Sequence, residues 1–248
     1  MRIWFLDSGS LVIDQAHITW NQGCGTPVRF PVYSVLIEHD DGLFLFDSGY
    51  ELELVKAVLP FELPEQTPEQ TIPAQLALCG FSPGDVSTLV MSHLHFDHVG
   101  GNQLLPDARV LVHAREIAQA RNCEPFEHFG YADRSWDHPA AKLVPITGDQ
   151  EVAAGLHLVE TPGHTVGHYS LLVTPPSGTN LLFPFDVVYT VAAYEKGAQP
   201  GFHIDPVAGV RSIARIRALA EEHDAQIFFT HDMDAWNTYR HAPDHYEV

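Results

Sequence analysis

The segment at residues 92–98 concentrates side chains that can bind metal ions. Three histidines and one aspartate follow the pattern His-x-His-x-Asp-His, and they are His93, His95, Asp97 and His98. Neutral imidazole and carboxylate are ligands that borderline divalent metals such as Zn²⁺ prefer. Because His93 and His95 are two residues apart, they share one face where the chain is extended. The pattern predicts a metal-binding loop and argues against unrelated surface histidines.

Three later segments place the same ligand types at the ends of predicted strands. His164 follows Thr161-Pro162-Gly163, Asp186 ends one apolar run, and His231 follows the last one. Active sites of layered α/β folds gather at strand ends. Each segment alone is a weak signal. Their order after His-x-His-x-Asp-His predicts that all of them serve one site.

Strands and helices must position these residues. Apolar residues 86–91 predict a buried strand that leads directly into the histidine cluster. Residues 2–14 predict a strand or hairpin, and residues 32–38 and 43–47 predict a hairpin with an Asp-Gly turn. Thr67-Pro68 predicts the start of a helix that ends near Cys79. A second helix is predicted at residues 207–223, with an apolar stripe of Val210, Ile213, Ile216, Leu219 and Ala220.

Residues 122–139 lack regular periodicity and are rich in aromatic side chains. Long loops of this kind are often functional lids. The aromatic residues are candidates for a substrate-binding wall, and they are Phe126, Phe129, Tyr131 and Trp136. The alternative is that these rings only attach the loop to the core.

The ligand pattern and its order resemble the metallo-β-lactamase superfamily over nearly the whole chain. The resemblance implies an α/β fold, a four-layer αβ/βα sandwich of two mixed β-sheets flanked by helices. Periodicity alone predicts only a mixture of helices and strands. We find no repeat, low-complexity stretch or linker, so a single domain spanning residues 1–248 is expected.

The resemblance also implies a role for each ligand. It assigns His93, His95 and His164 to one metal ion, Asp97, His98 and His231 to a second, and Asp186 to a bridge between them. Asp97 is then a metal ligand and not a free general base. Asp47, which ends its predicted strand, matches a position that supports the site from behind. His168 is interpreted as a residue behind the ligands or in the core.

Tyr189 narrows the expected reaction. It lies three residues after Asp186, as in members that resemble N-acyl-homoserine lactonases. A phenol there could hydrogen-bond a carbonyl oxygen or protonate a leaving alkoxide. Tyr189 and Asp97 are therefore the candidate catalytic residues. One departure is Pro184, which is unusual in a central strand and precedes Asp186 closely.

Two lactone substrates remain possible, an N-acyl-homoserine lactone and 4-pyridoxolactone. Residues 30–33, 125–131 and 203–210 resemble 4-pyridoxolactonases, which open a lactone fused to a pyridine ring. The expected reaction is ring opening by a hydroxide that bridges two divalent ions. Zn²⁺ is the first expectation, and Mn²⁺, Co²⁺ or Fe²⁺ would also accept these ligands. Rival hypotheses are a thioester hydrolase of the glyoxalase II type and a non-hydrolytic metal-binding or redox module.

Composition restricts the partners. The formal net charge of −19 argues against nucleic acid and against an anionic membrane surface. The three cysteines show no CxxC spacing, and no signal peptide or apolar segment long enough to span a membrane is apparent. We therefore expect a cytoplasmic monomer or homodimer that acts on a small-molecule lactone.

Overall fold

The computed structural model of the chain describes residues 1–132, 134–139 and 141–248. The contacts between Cα atoms divide these residues into two compact units. The first unit comprises Met1–Val12, Pro31–Ile146 and Tyr239–Glu247. The second comprises Ile13–Phe30, Thr147–Thr238 and Val248. Within the described residues, every helix is too short or too polar to cross a membrane.

A seven-stranded sheet belongs to the first unit, apart from the end of its first strand and the start of its second. Its strands are β1 (Arg2–Asp14), β2 (Pro27–His39), β3 (Gly42–Phe46), β4 (Val86–Val90), β5 (Arg109–His113), β6 (Lys142–Ile146) and β12 (Tyr246–Glu247). They lie in the order β12-β1-β2-β3-β4-β5-β6. β2 and β3 form the expected antiparallel hairpin, and β3 to β6 run parallel. The sheet is therefore mixed.

A five-stranded sheet belongs to the second unit. Its strands are β7 (Gln150–Ala153), β8 (Leu156–Glu160), β9 (Tyr169–Val173), β10 (Leu181–Phe183) and β11 (Gln226–Ile227). β7 to β10 pair antiparallel, whereas β11 pairs parallel with β10. This sheet is also mixed. β9 and β10 are buried along their whole length, which agrees with their largely apolar sequences.

Helices occur in both units. The α-helices are α1 (Gln15–Ile18), α2 (Leu52–Val58), α3 (Ile72–Leu78), α4 (Phe96–Val99), α5 (Ala114–Arg121), α6 (Val191–Lys196), α7 (Pro206–Glu222) and α8 (Met233–Trp236). Short 3₁₀ helices lie at Pro60–Glu62, Pro68–Gln70, Pro83–Asp85, Asn102–Leu104, Pro125–Glu127, Ser135–Asp137 and Phe185–Val187. Asp205 caps the start of α7, because its carboxylate accepts hydrogen bonds from the N–H groups of Val207 and Ala208.

The helix predicted for residues 67–79 is wrong in its first part. Thr67 instead caps the 3₁₀ helix Pro68–Gln70, and the α-helix starts after Thr71. Pro73 explains the break because proline is tolerated only in the first turn of a helix. The predicted end is confirmed: α3 stops before Gly80, whose φ of +85° continues no right-handed helix.

Three apolar patterns were interpreted too broadly. In α7 the stripe includes Ile213 and Ile216, which are buried, but Val210 is 54% exposed. The strand expected to reach Asp186 ends at Phe183, because Pro184 has no N–H group to continue the ladder. The last strand predicted from the sequence corresponds to β11, which covers only Gln226–Ile227, so His231 lies in a loop beyond it.

Candidate metal centre

The His-x-His-x-Asp-His segment follows β4 in the middle of the parallel part of its sheet. β4 lies between β3 and β5, and the N–H group of Asp47 donates to the carbonyl of Val90 at 3.0 Å. The carboxyl ends of β3 and β4 therefore bring Asp47 next to the segment. His93 and His95 lie in the loop, and Asp97 and His98 lie in the single turn of α4.

Asp47 is a buried acceptor for three donors. It accepts from the N–H group of Ser92 at 2.8 Å, the hydroxyl of Ser92 at 2.7 Å and Nδ1 of His98 at 2.7 Å. Its φ of 58° lies in the left-handed region, which aspartate tolerates better than most residues. Because a carboxylate only accepts, Nδ1 of His98 carries the proton. The other nitrogen of His98, Nε2, is then available to bind a metal.

The same reasoning assigns His93. The Ser92 hydroxyl donates to Asp47, so it accepts from Nδ1 of His93 at 3.0 Å. In the neutral ring, Nε2 of His93 then carries the lone pair that can bind a metal. The ring of His93 lies 4.2 Å from that of His98 and 4.5 Å from that of His95, measured between centroids. Nε2 of His98 is 3.6 Å from a carboxylate oxygen of Asp97. The four predicted ligands of the first unit are therefore close together.

Residues 122–139, here called the aromatic loop, contact these ligands and a carboxylate beside them. Tyr131 lies with its ring centroid 5.0 Å from that of His95, and its hydroxyl donates to Glu116 at 3.1 Å. Burial and the negative charge of Glu116 raise the pKa of Tyr131, so its phenol remains a donor. A Cβ added at Gly130 would lie 2.9 Å from the ring of His95, which explains why glycine stands there. Glu116 also accepts from the N–H group of Leu94 at 3.2 Å.

The four aromatic candidates for a substrate wall have different environments. Trp136 is 1% exposed and Tyr131 is 5% exposed, and both belong to a buried apolar cluster of the first unit. Phe129 is half-buried, and Phe126 is 65% exposed. For Tyr131 and Trp136, this placement favours the alternative that the rings attach the loop to the core.

The second unit holds the other three predicted ligands around one carboxylate. Asp186 lies in the 3₁₀ helix Phe185–Val187, His164 in the loop after β8, and His231 in the loop before α8. Nε2 of His164 is 3.3 Å from Oδ2 of Asp186, and Nε2 of His231 is 3.3 Å from Oδ1. All three residues are buried. The carboxylate of Asp186 thus lies between the two imidazoles.

The hydrogen bonding of His164 fits a metal ligand. Nδ1 of His164 lies 2.7 Å from the carbonyl oxygen of Phe202, which can only accept, so Nδ1 carries a proton. Nε2 is then the nitrogen directed at Asp186. In the neutral ring this nitrogen offers a lone pair, and a cation could bind both it and the carboxylate oxygen. Imidazole and carboxylate are also the donor types of protein zinc sites.

Pro184 and Phe185 determine how Asp186 is presented. After β10 ends, Pro184 adopts helical dihedral angles and Phe185 has a φ of 48°, in the left-handed region. A phenylalanine rarely adopts this conformation, and it costs about 1–3 kcal/mol. The strained turn points the carboxylate of Asp186 out of the path of the strand. Pro184, which was noted as unusual for a central strand, is thus part of the turn that leads to Asp186.

Tyr189 is buried beside two of these histidines. Its ring centroid lies 4.7 Å from that of His231 and 6.0 Å from that of His164. Its carbonyl oxygen also accepts from the N–H group of His231 at 3.2 Å. The predicted catalytic tyrosine therefore belongs to the same cluster as the ligands of the second unit.

Several residues near the ligands were not identified from the sequence. They are polar residues whose type and spacing predict no metal ligand, and they are Glu62, Ser92, Glu116, Thr161 and Ser170. Glu62 is 2% exposed, and its Oε2 has no hydrogen-bond partner among the described residues. Burial first, and the negative charge of Asp97 second, raise the pKa of Glu62 to about 8. An acid in such an environment stays protonated at neutral pH.

The fold and the ligands define the class of the protein. The model of the metallo-β-lactamase superfamily matches residues 27–241, and the chain belongs to this superfamily. Two mixed sheets flanked by helices agree with the fold that the sequence resemblance implies. The predicted superfamily and the predicted fold class are therefore both confirmed.

Within the superfamily, the chain is similar to N-acyl homoserine lactonases. It is 34% identical to AttM of Rhizobium radiobacter over 259 residues, which covers 99% of this chain and 98% of the relative. It is 28% identical to a lactonase of Bacillus thuringiensis, with 98% of both chains covered. A solved N-acyl homoserine lactone hydrolase, with N-hexanoyl-L-homoserine bound at its catalytic metal center, gives a TM-score of 0.87 at 28% identity. That comparison covers 99% of this chain and 98% of the other.

Proposed function

We propose that the chain is a metal-dependent lactonase that hydrolyses the ring of N-acyl homoserine lactones, the signals removed in quorum quenching. The observation that carries the proposal is the carboxylate of Asp186 between His164 and His231, with Nε2 of each imidazole 3.3 Å from one of its oxygens. The full-length relatives support the homoserine lactone as substrate over 4-pyridoxolactone.

Two divalent ions are part of this proposal. His93, His95 and His164 would hold one ion, Asp97, His98 and His231 the other, and Asp186 would bridge them. Each unit holds His and Asp side chains of the kinds that bind divalent metals, which supports the assignment. We propose Zn²⁺ as the native metal. Its identity and number are tested by emission spectroscopy of the purified protein.

The protein's own residues would prepare the site for hydrolysis. Bound divalent ions would supply an acidified water and polarise the lactone carbonyl. Asp47 and Ser92 keep the protons of His93 and His98 on Nδ1, so that both rings present Nε2. The phenol of Tyr189 would donate to the carbonyl oxygen or to the ring oxygen as the ester bond breaks. No serine or cysteine nucleophile is needed.

Tyr189→Phe tests the role of the phenol. We expect kcat for a homoserine lactone to fall by about 10²- to 10³-fold, because the variant loses a donor to developing negative charge. Metal content, measured by emission spectroscopy, should stay at the wild-type value. The matched control is Tyr194→Phe, since Tyr194 packs against Phe229 in the second unit. An unchanged kcat in Tyr189→Phe would contradict the role.

A substrate panel tests the proposed function. Hydrolysis is followed by pH-stat with short- and long-chain homoserine lactones, 4-pyridoxolactone, a simple γ-lactone and a thioester. We expect the homoserine lactones to be turned over with the highest kcat/KM. A clear preference for 4-pyridoxolactone would assign it as the substrate in place of a homoserine lactone. Turnover of only the thioester would indicate the glyoxalase II type of reaction. A coloured iron centre without hydrolysis would indicate the redox module.

The cellular setting is a further part of the proposal. Cys24, Cys79 and Cys123 are free thiols, which supports a reducing compartment such as the cytoplasm. We propose that the protein acts there as a monomer or homodimer.

A further inference from the structure

A chain of four hydrogen bonds surrounds the turn that presents Asp186. The N–H group of Asp186 donates to Nε2 of His168 at 3.2 Å, and Nδ1 of His168 lies 2.9 Å from the hydroxyl of Thr161. That hydroxyl lies 2.8 Å from the hydroxyl of Ser170, which donates to the carbonyl of Pro184 at 3.1 Å. The chain begins and ends on the two sides of Phe185.

The direction of each hydrogen bond in this chain follows from its two ends. The N–H group of Asp186 can only donate, so Nε2 of His168 accepts and Nδ1 carries the proton. Nδ1 then donates to Thr161. At the other end, Ser170 donates to a carbonyl and must therefore accept from Thr161. The four bonds agree in direction only when His168 is neutral with its proton on Nδ1.

The side chains in this chain of hydrogen bonds are buried, so they depend on one another as hydrogen-bond partners. Thr161, His168 and Ser170 are all 0% exposed, so bulk water does not reach their side chains. A buried polar group that loses its partner is strongly destabilised. The turn that the chain spans contains Pro184, which has no N–H group, and Phe185, which is in the left-handed region. The hydrogen bonds of His168 and Ser170 therefore hold a turn that the local sequence does not favour.

We propose that His168 is a positioning residue, which through the backbone of Asp186 directs the carboxylate between His164 and His231. The inference rests on the proposed metal site, because Asp186 is its bridging ligand. His168 itself does not contact the substrate in this proposal. It acts by maintaining the geometry in which both oxygens of Asp186 lie 3.3 Å from an imidazole nitrogen.

A pair of variants separates positioning from simple packing. His168→Gln places an amide near the position of Nε2, where it can accept from the N–H group of Asp186. His168→Asn places its amide near the position of Nδ1 and leaves that N–H group without its acceptor. We expect His168→Asn to weaken metal binding by about 10- to 100-fold, as loss of supporting groups typically does. His168→Gln should bind metal nearly as tightly as the wild type.

The measurement is the metal dissociation constant, from competition with a chromogenic chelator, together with the visible spectrum of the Co²⁺-loaded protein. The matched control is His157→Asn. His157 lies in β8 and bonds the hydroxyl of Thr174 at 2.9 Å, so the control removes a similar histidine–threonine bond away from Asp186. It should leave the metal affinity and the Co²⁺ spectrum unchanged.

Ser170→Ala tests the other end of the chain and decides the matter if His168→Asn does not fold. It removes the bond to Pro184 and should also weaken metal binding, with an altered Co²⁺ spectrum. Wild-type metal affinity in a folded His168→Asn or Ser170→Ala protein would overturn the proposal. An equal loss of metal affinity in His157→Asn would also overturn the proposal. Because metal binding is measured without a substrate, failure of lactone hydrolysis would count only against the proposed function.

Discussion

Asp186→Ala is expected to abolish lactone hydrolysis, with loss of the ~10⁶-fold or greater acceleration that enzymes provide. The carboxylate of Asp186 lies 3.3 Å from imidazole nitrogens of both His164 and His231, so its removal breaks both pairs. His95→Ala should have the same effect, since it removes a proposed ligand of one ion. Dialysis of the wild type against a chelator should reproduce the loss, and added Zn²⁺ should reverse it. Initial rates by pH-stat measure each result.

A matched control distinguishes loss of a ligand from loss of charge. Asp40→Ala removes an exposed carboxylate in the turn between β2 and β3 and should leave turnover and metal content unchanged. Emission spectroscopy should find less metal in Asp186→Ala than in Asp40→Ala. Full lactonase activity in a chelated sample shown to contain no metal would be incompatible with the proposed mechanism.

Glu62 should make the metal-free protein less stable as the pH rises from about 5 to 8. The pKa of Glu62 is about 8 in the folded protein, against an ordinary value of 4.5. Between these values the unfolded chain releases the proton and the folded chain keeps it, so the free energy of unfolding falls with increasing pH. At ~1.4 kcal/mol per pKa unit, the difference between 4.5 and about 8 corresponds to a total loss of about 5 kcal/mol. Below about pH 4.5 both states are protonated and the contribution is fully present.

Glu62→Gln isolates this effect from the other titrating groups. The amide does not titrate, so the stability of the variant relative to the wild type should increase steadily between pH 5 and 8. Urea unfolding of both metal-free proteins at several pH values measures the difference. The control is Glu221→Gln, because Glu221 is an exposed residue of α7. A constant difference between Glu62→Gln and the wild type across this range would show that Glu62 is ionised in the folded state.

The sequence predicts the fold class well because ligand types and apolar runs occur together. The apolar run before Ser92 is β4, and His93 follows it directly. The order of His164, Asp186 and His231 after the first cluster carries the resemblance to the superfamily, and the resemblance implies the two mixed sheets. Element boundaries were less predictable: Pro73 and Pro184 shortened a helix and a strand because proline lacks the backbone donor.

The groups that hold the ligands could not be predicted. Thr161, Ser170 and Glu116 resemble ordinary polar residues in the sequence, and only the tertiary structure brings them to the ligands. Glu62 lies in a short apolar stretch, where an acid is normally exposed. Its burial depends on packing that local sequence does not encode. The roles of Tyr189 and of the aromatic loop stay predictions that mutagenesis can test.

The two groups of ligands differ in how the chain assembles them. His93, His95, Asp97 and His98 are neighbours in sequence, so their approach costs little loop-closure entropy and can occur early in folding. The ligands of the second unit come from three distant segments, and His231 follows all the other proposed ligands in the sequence. During synthesis on the ribosome, the complete set of proposed ligands would exist only after the segment that carries His231 has emerged. Metal uptake by the complete set should therefore follow the synthesis of that segment.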